Sequence, residues 1–193
     1  MKIAGCILAG GRSSRFGSDK ALVALNGKTL LEHAIERLAP QVDEIVINTN
    51  SADPLYAKTG HALAPDLTPD FSGPLAGILA GLTWAKERQA DFLVTVAVDT
   101  PFFPQNLVST MMAKPIYGIV VAESATVLHP TFALWPVSEQ PILENWLANG
   151  QSLRVTDFLK ARAFATMSFQ ATGTRDPFFN INRMEDLTRA TKP

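Results

Sequence analysis

Apolar segments alternate with helical patterns along the whole chain. The segments Ile3–Leu8, Glu44–Asn48 and Phe92–Val98 are short with apolar centres, which predicts strands, and the third is apolar nearly throughout, as expected for a strand covered on both faces. Leu30–Leu38 carries apolar residues at helical spacing, and Leu75–Arg88 is a second predicted helix, which begins behind a Gly-Pro pair. This alternation predicts a mostly parallel sheet with helices packed on both of its faces.

The second half of the chain continues the alternation with shorter segments. The further predicted elements are the strands Gly118–Ala122 and Thr131–Trp135 and the helices Pro104–Ala113, Leu153–Lys160 and Glu185–Ala190. Because 193 residues suit one compact domain and no repeat or linker interrupts the pattern, we expect one α/β domain over residues 1–193. We expect a Rossmann-like, three-layer fold, in which ligands bind at the carboxyl ends of the parallel strands.

The bulk composition disfavours several classes of protein. The chain is 47% hydrophobic and 18% charged, and its net charge of −1 provides no overall attraction to nucleic acid or to an anionic membrane surface. Its one cysteine, Cys6, lies in an apolar run, so we expect a buried thiol and a reducing, cytoplasmic location. No apolar run reaches the ~18 residues that span a membrane, and we expect no secretion signal because an A-x-A-like cleavage site is missing.

The segment Leu8–Lys20, LAGGRSSRFGSDK, directly follows the first predicted strand. Two adjacent glycines allow the backbone to approach a ligand closely, and successive N–H groups can form an anion-binding nest. Three cations follow within nine residues: Arg12, Arg15 and Lys20. This combination suits a triphosphate, although a tight turn followed by a solvated basic loop has the same composition. The position behind a buried strand favours the functional interpretation.

Two better-known nucleotide motifs are not satisfied. G-x-G-x-x-G is absent from the loop, which disfavours a dinucleotide-binding dehydrogenase. Gly27-Lys28-Thr29 imitates the end of a P-loop, but Leu22 occupies the position where that motif requires a glycine. We therefore expect Gly27 to form a turn before the helix that begins at Leu30.

The loop resembles the L-A-G-G-x-S-x-R-x-G-x-D-K loop of the molybdenum cofactor guanylyltransferases, within the wider nucleotide-diphospho-sugar transferase superfamily. The resemblance implies that the loop wraps the triphosphate of GTP and that Arg15 and Lys20 contact phosphates and act in catalysis. The nucleotide-binding residues that it implies in the loop are Leu8, Ala9, Gly10, Gly11 and Lys20. A Gly-Gly pair is typical of the guanine-using members, whereas relatives that use CTP often have Ala-Gly.

A lone carboxylate, Asp99, follows the apolar strand Phe92–Val98. Burial of an unpaired charge is costly, so this aspartate needs polar partners or a metal. It could hold Mg²⁺, which takes only one or two protein carboxylates, or it could cap the turn before Pro101. The block Asp99-Thr100-Pro101 resembles the metal-binding D-T-P segment of the same family, which implies that Asp99 binds the metal and the nucleotide and is catalytic.

Asn48 closes the second predicted strand, and Asp66 lies in the loop behind Pro65. Either residue could simply form a turn, but the N–H edge of guanine and the ribose hydroxyls need acceptors, which a carboxylate supplies. Matching residues contact the guanosine in the resembling family, which implies the same role for Asn48 and Asp66. The block that begins with Gly73, GPLAG, also matches the family and implies that Gly73 lies near the nucleotide at a helix N-terminus.

Two blocks in the C-terminal half resemble the family's H-P-T and N-x-N motifs, which face the pterin substrate. The resemblance implies that His129, Asn180 and Asn182 bind molybdenum-molybdopterin. Asn182 could equally cap the last helix, because Glu185 three residues later completes a capping-box pattern, and both roles stay open. The family commonly has N-T-P-E-D here, whereas this chain has NRMED, which adds the cation of Arg183 near the second substrate.

The matching blocks run from Ile3 to Leu187. Together they imply an enzyme that uses Mg²⁺ to transfer GMP from GTP to the terminal phosphate of molybdenum-molybdopterin and releases pyrophosphate. The nucleotide-binding part would span about residues 1–105 and the pterin part about 106–193. The partners implied are molybdenum-insertion proteins and target molybdoenzymes or their chaperones. The alternatives are a cytidylyltransferase or related sugar-phosphate nucleotidyltransferase, and a non-catalytic nucleotide-binding regulator.

Overall fold

A computed structural model describes residues 1–10, 19–67, 73–113, 117–171 and 176–190. The strands, in chain order, are β1 (Ile3–Leu8), β2 (Ala24–Leu25), β3 (Lys28–Thr29), β4 (Glu44–Asn48), β5 (Ala62–Ala64), β6 (Phe92–Ala97), β7 (Ile119–Ser124), β8 (Val127–Pro136) and β9 (Phe164–Ser168). The α-helices are α1 (Leu30–Leu38), α2 (Pro54–Lys58), α3 (Pro74–Glu87), α4 (Leu107–Met111), α5 (Gln140–Ala148), α6 (Val155–Ala161) and α7 (Met184–Ala190).

The central sheet has the strand order β5-β4-β1-β6-β8-β7-β9 in the described part of the chain. Strand β8 runs antiparallel to both of its neighbours, and every other pair in the sheet is parallel. The α/β fold with a mostly parallel sheet is therefore confirmed. The register pairs Leu8 with both Asn48 and Ala97, so strands β4, β1 and β6 end side by side at the same edge of the sheet.

Alternation along β1 explains why helices cover both faces of the sheet. Ile7 packs into one core with α1, whereas Cys6 and Leu8 pack into a second core with α3. A strand with apolar side chains on both faces needs a helix layer on each side to remove them from water. The predicted burial of Cys6 is confirmed, and this burial raises the pKa of its thiol to about 12.

Several predicted elements have the observed bounds, namely β1, α1 and β4, and the others differ by a few residues at their ends. The sequence analysis missed β5, β9, α2, α5 and the hairpin of β2 and β3. The missed elements other than α5 have five residues or fewer, too short to show a clear period, and the neighbours that hold them are distant in sequence. Gly27 forms the predicted turn, which joins β2 to β3, and Thr29 caps α1 through a capping box with Glu32.

Candidate active site

A cavity of about 200 Å³ lies at the carboxyl ends of β1, β4 and β6. Residues predicted from the sequence that line it are Leu8, Ala9, Gly10, Lys20, Asn48, Asp99 and Asn180. The structure therefore brings residues predicted to bind the nucleotide together with Asn180, which was predicted to bind the second substrate, around one space. Gly11 and Arg15, also predicted, lie outside the described residues.

Asp99 lies just beyond the end of β6 and forms an ion pair with Lys20. The Lys20 Nζ atom is 2.7 Å from Asp99 Oδ2, and the two side chains are 17% and 24% exposed. Partial burial of this kind reduces screening by solvent, so the pair is held more firmly than an ion pair on the surface. The structure thus places the predicted phosphate-binding cation directly on the predicted metal ligand.

Arg37 of α1 holds the loop that carries Asp99 through hydrogen bonds. The sequence analysis missed this arginine. The guanidinium of Arg37 donates from Nε to the Pro101 carbonyl and from Nη1 to the Phe103 carbonyl, each at 3.0 Å. Partial burial lowers the pKa of Arg37. Because the two carbonyls lie two and four residues beyond Asp99, these bonds restrict where its carboxylate can lie.

Asn48 and Asp66 form one hydrogen-bonded unit, to which Asn50 also belongs. Asn48 Nδ2 donates to the Ala64 carbonyl at 3.1 Å and to Asp66 Oδ1 at 2.9 Å, which uses both of its protons. Asn50 Nδ2 donates to Asp66 Oδ2 at 2.7 Å, and Asn50 Oδ1 accepts from the Asp66 N–H at 2.9 Å. Asn48 lines the cavity and Asp66 lies behind it, so Asn48 presents only its carbonyl oxygen as a polar group to a ligand.

The Asn48 side chain occupies space that is available only because two residues near it are glycines without a Cβ atom. A Cβ atom on Gly77 would lie 2.2 Å from Asn48 Oδ1, and one on Gly10 would lie 3.1 Å from the same oxygen. The first distance is a clash that the buried amide cannot relieve without leaving Asp66. Gly73, which was predicted to bind nucleotide, has a φ of 111° that disfavours other residues, and it is followed by Pro74, which lines the cavity.

Asp19 anchors the chain next to Lys20. Its Oδ1 atom accepts from the Ala21 N–H at 3.1 Å, and its Oδ2 atom accepts from the Tyr56 hydroxyl at 2.9 Å. Tyr56 is fully buried on α2, and this burial raises the pKa of its phenol, so the hydroxyl keeps the proton that it donates. Neither side chain was predicted to matter, because 37 residues separate them.

The segment 180–182 is docked onto the end of β6. The Thr100 hydroxyl donates to Asn180 Oδ1 at 2.6 Å, and the Ile181 N–H donates to the Asp99 carbonyl at 2.8 Å. Asn182 Oδ1 accepts from Lys20 Nζ at 2.8 Å, so this ammonium contacts both halves of the site. In the described residues neither asparagine Nδ2 group has an acceptor, which leaves both as donors for a ligand.

The last helix is capped differently from the capping-box prediction. The side chain of Asn182 contacts Lys20, and Asp186 instead accepts from the backbone N–H groups of Asn182 and Arg183, each at 2.9 Å. Residues 180–182 belong to no helix or strand. A carboxylate one residue beyond Glu185 reaches both N–H groups at the helix start and releases Asn182 for the site.

His129 is not among the residues that line the cavity, but it lies on β8 two residues before Thr131, which does line it. Its Nε2 atom is 2.7 Å from Ser124 Oγ, and that hydroxyl contacts both carboxylate oxygens of Asp176 at 3.0 and 2.9 Å. The imidazole stacks on Phe178 with 4.3 Å between the ring centres. Burial lowers the pKa of His129, which favours the neutral ring. Ser124 and Asp176 were not predicted, because they are 52 residues apart in sequence.

A single carboxylate forms the candidate metal site. No group of three or more His, Cys, Asp or Glu side chains that could hold a metal ion occurs within the ranges that the structure describes. Mg²⁺ nevertheless fits such a position, because it takes one or two carboxylates and fills its remaining positions with water and phosphate oxygens. In the same described ranges, no helix has the length and apolarity needed to cross a membrane.

The chain is similar to a known family of nucleotide-using transferases. The family model of the MobA-like NTP transferase domain matches residues 5–163. The chain is 46% identical over 193 residues to a molybdenum cofactor guanylyltransferase of Rhizobium meliloti (strain 1021), covering 95% of this chain and 88% of the relative. It is 40% identical over 192 residues to the protein of the same name from Sinorhizobium fredii, with the same coverage.

A solved structure agrees with these relatives. The crystal structure of molybdopterin-guanine dinucleotide biosynthesis protein A from Archaeoglobus fulgidus superposes with a TM-score of 0.75 at 25% identity. The superposition covers 97% of this chain and 96% of that one. The similarity thus extends over nearly the whole chain, including the segments that line the cavity.

Proposed function

The chain belongs to the MobA-like NTP transferase domain family, and from this premise we propose that it transfers GMP from GTP to the terminal phosphate of molybdenum-molybdopterin. One observation carries the proposal beyond family membership. The Lys20 ammonium contacts Asp99 on the nucleotide side and Asn182 on the second-substrate side, at 2.7 and 2.8 Å. A cation between two substrate sites is placed to neutralise charge where a phosphate of one substrate meets a phosphate of the other.

Different groups bind the triphosphate and the guanine of GTP. The backbone of Leu8, Ala9 and Gly10 and the Lys20 ammonium hold the triphosphate, together with Gly11 and Arg15. We assign the guanine, whose N1–H and N2–H₂ groups are donors, to the Asp66 carboxylate, which lies behind Asn48 and outside the lining of the cavity. Each oxygen of Asp66 already accepts from one asparagine, and a carboxylate has about four acceptor positions, so two remain for the base.

Asp99 is the residue that would hold Mg²⁺. The bound ion would neutralise charge on the α-phosphate and on the leaving pyrophosphate. In the structure the Lys20 ammonium pairs with Asp99 Oδ2, and it would have to turn toward the phosphates to leave this carboxylate to the metal.

The reaction is a displacement at phosphorus. A terminal phosphate oxygen of molybdopterin bonds to the α-phosphorus of GTP, the bond from that phosphorus to the bridging oxygen breaks, and pyrophosphate leaves with the electron pair. No general base is required, because the attacking phosphate is already an anion. Lys20 stabilises the charge that develops on the leaving group, and the Nδ2 groups of Asn180 and Asn182 donate to the acceptor substrate and align it.

The wider assignments follow from this reaction. We assign nucleotide binding to about residues 1–105 and pterin binding to about residues 106–193, with His129 in the latter. A cytoplasmic location suits an enzyme that uses GTP, and its product would pass to molybdoenzymes or their chaperones, after metal has been supplied by molybdenum-insertion proteins.

One assay tests the proposal. The purified protein is incubated with molybdenum-molybdopterin, MgCl₂ and either GTP or CTP, and both pyrophosphate and the dinucleotide product are measured. We expect pyrophosphate and a guanine dinucleotide with GTP. A cytosine dinucleotide formed in preference would establish a cytidylyltransferase, and nucleotide binding without pyrophosphate would identify a non-catalytic regulator.

A further inference from the structure

The hydrogen bonds around Ser124 fix which ring nitrogen of His129 carries the proton. A serine hydroxyl has one proton to donate, and Ser124 Oγ contacts Asp176 at 2.9 and 3.0 Å and His129 Nε2 at 2.7 Å. An ionised carboxylate only accepts, so the hydroxyl proton goes to Asp176. The remaining contact is favourable only if His129 donates from Nε2.

This arrangement leaves the other nitrogen of the ring as an acceptor. Burial disfavours the charged imidazolium, and a neutral ring with its proton on Nε2 has a lone pair on Nδ1. Within the described residues, no group hydrogen-bonds to Nδ1 of His129. The ring is half-buried and stacks on Phe178, and the residues two positions further along each of these two segments, Thr131 and Asn180, line the cavity.

Asp176 orders the second-substrate side in another way as well. Its Oδ1 atom accepts from the Phe178 N–H at 2.7 Å, and its carbonyl accepts from the Phe179 N–H at 3.1 Å. These bonds fix the turn that presents the Phe178 ring to His129 and continues into Asn180. One carboxylate therefore connects β7, β8 and the segment 180–182.

We propose that Asp176 is a positioning residue for the acceptor substrate: through Ser124 it holds His129 with its proton on Nε2, so that Nδ1 accepts a hydrogen bond from an N–H group of the pterin. This role rests on the proposed function. It assigns His129 to the heterocycle of the substrate and not to its phosphate, because a phosphate would require an N–H donor at that nitrogen. Asp176 and Ser124 do not contact the reacting atoms.

The protonation state is tested in the protein without substrate. Long-range proton–nitrogen NMR on ¹⁵N-histidine-labelled protein at neutral pH distinguishes the two ring nitrogens, and the spectrum of the His129→Gln variant identifies the His129 signals among those of the three histidines. We expect a protonated Nε2 and an unprotonated Nδ1. Ser124→Ala and Asp176→Asn should each shift His129 toward a mixture of the two neutral forms.

Steady-state kinetics test the role in the reaction. Loss of one substrate hydrogen bond should raise KM for molybdenum-molybdopterin about tenfold in Ser124→Ala and Asp176→Asn and leave KM for GTP unchanged. Ser168→Ala is the matched control, because the Ser168 hydroxyl also donates to a carboxylate, Glu123, at 3.0 Å, but on an exposed part of the neighbouring strand. It should change neither the spectrum nor the kinetics.

The outcomes separate the inference from the proposed function. A protonated Nδ1 in the wild-type protein, an unchanged His129 spectrum in both variants, or a KM for GTP that rises as much as that for the pterin would overturn the inference. Wild-type protein that makes no guanine dinucleotide would overturn the proposed function, whatever the His129 spectrum shows.

Discussion

Asp66 and Asp99 follow strands that end at the same edge of the sheet, β5 and β6, with β4 and β1 between them, but their carboxylates have different kinds of partners. Both oxygens of Asp66 accept from neutral amides, those of Asn48 and Asn50. Asp99 is paired with the Lys20 ammonium, and the nearby Thr100 hydroxyl gives its proton to the closer acceptor, Asn180. Asp66 is oriented by neutral donors, whereas Asp99 is paired with a positive charge at the end of a long, flexible side chain.

The difference shows how the same functional group serves two purposes. Neutral donors fix the direction of the Asp66 lone pairs without cancelling their charge, which suits recognition of the N–H groups of a base. The proposed function requires this ammonium to be exchanged for a metal ion, and the several rotatable bonds of the Lys20 side chain permit it to leave the carboxylate. We therefore expect changes at Asp99 to affect the rate of reaction and changes at Asp66 to affect the choice of nucleotide.

The largest effect is expected for Asp99→Asn. A neutral amide of the same shape holds Mg²⁺ poorly, and the loss of several kcal/mol of charge stabilisation should reduce kcat about 1,000-fold. The measurement is pyrophosphate release at saturating GTP, together with thermal unfolding to show that the fold is intact. Asp91→Asn is the matched control, since Asp91 lies at the opposite end of β6 and bonds the Lys2 N–H. A kcat within tenfold of wild type would exclude Asp99 as the metal ligand.

Lys20→Met should have the next largest effect. Methionine keeps the length of the chain but removes the charge that neutralises the phosphates, and loss of one such group typically reduces kcat about 100-fold. Pyrophosphate release is measured against Lys28→Met, which removes only a lysine of an exposed ion pair with Glu36. An equal loss in both variants would mean that Lys20 acts through general charge and not through its position between Asp99 and Asn182.

Asp66→Asn tests the other side of the comparison. The variant keeps the size of the side chain but loses a charged acceptor, so KM for GTP should rise about tenfold while kcat stays near the wild-type value. The preference for GTP over CTP should fall in the same experiment. Asp43→Asn is the control, because the Asp43 carboxylate also accepts a hydrogen bond from a neutral donor, the Ile3 N–H, but lies at the far end of β4. If kcat falls instead of KM rising, the two carboxylates do not have separate roles.

The sequence predicted the residues that lie at strand ends, because that rule needs only the order of elements. Leu8, Asn48 and Asp99 each close or follow an apolar strand, and parallel register brings those ends together. The supporting side chains could not be predicted in this way. Arg37 bonds the carbonyl of Phe103, 66 residues away, and such a pair depends on how α1 packs on the sheet.

Two further residues show what a pattern leaves open. Gly77 was part of a matched block, but its need for a missing Cβ appears only when Asn48 is seen against it. Asn182 fitted both a capping box and a substrate contact; in the structure Asp186 bonds the N–H groups at the helix start and the Asn182 amide oxygen accepts from the Lys20 ammonium, while the substrate contact stays a prediction. Local sequence identifies a polar group, whereas tertiary packing determines its partner.

The smallest predicted effect comes from Tyr56→Phe, which changes neither carboxylate. The substitution removes one hydroxyl from a buried ring and leaves Asp19 Oδ2 without that donor, so the free energy of unfolding should fall by about 1.5 kcal/mol. KM for GTP should rise roughly threefold, because the Ala21 N–H still holds Asp19 next to Lys20. Urea unfolding and GTP kinetics measure the two changes.

Tyr117→Phe is the matched control for that variant, since the Tyr117 side chain is 97% exposed and its hydroxyl should contribute to neither property. A lower stability of Tyr56→Phe with an unchanged KM for GTP would assign Tyr56 to the core alone. A rise in KM as large as that of Asp66→Asn would instead mean that nucleotide affinity depends as much on the anchoring of Asp19 next to Lys20 as on the Asp66 carboxylate. In that case selectivity between GTP and CTP should still change only in Asp66→Asn, because Lys20 is assigned to the phosphates, which both nucleotides share.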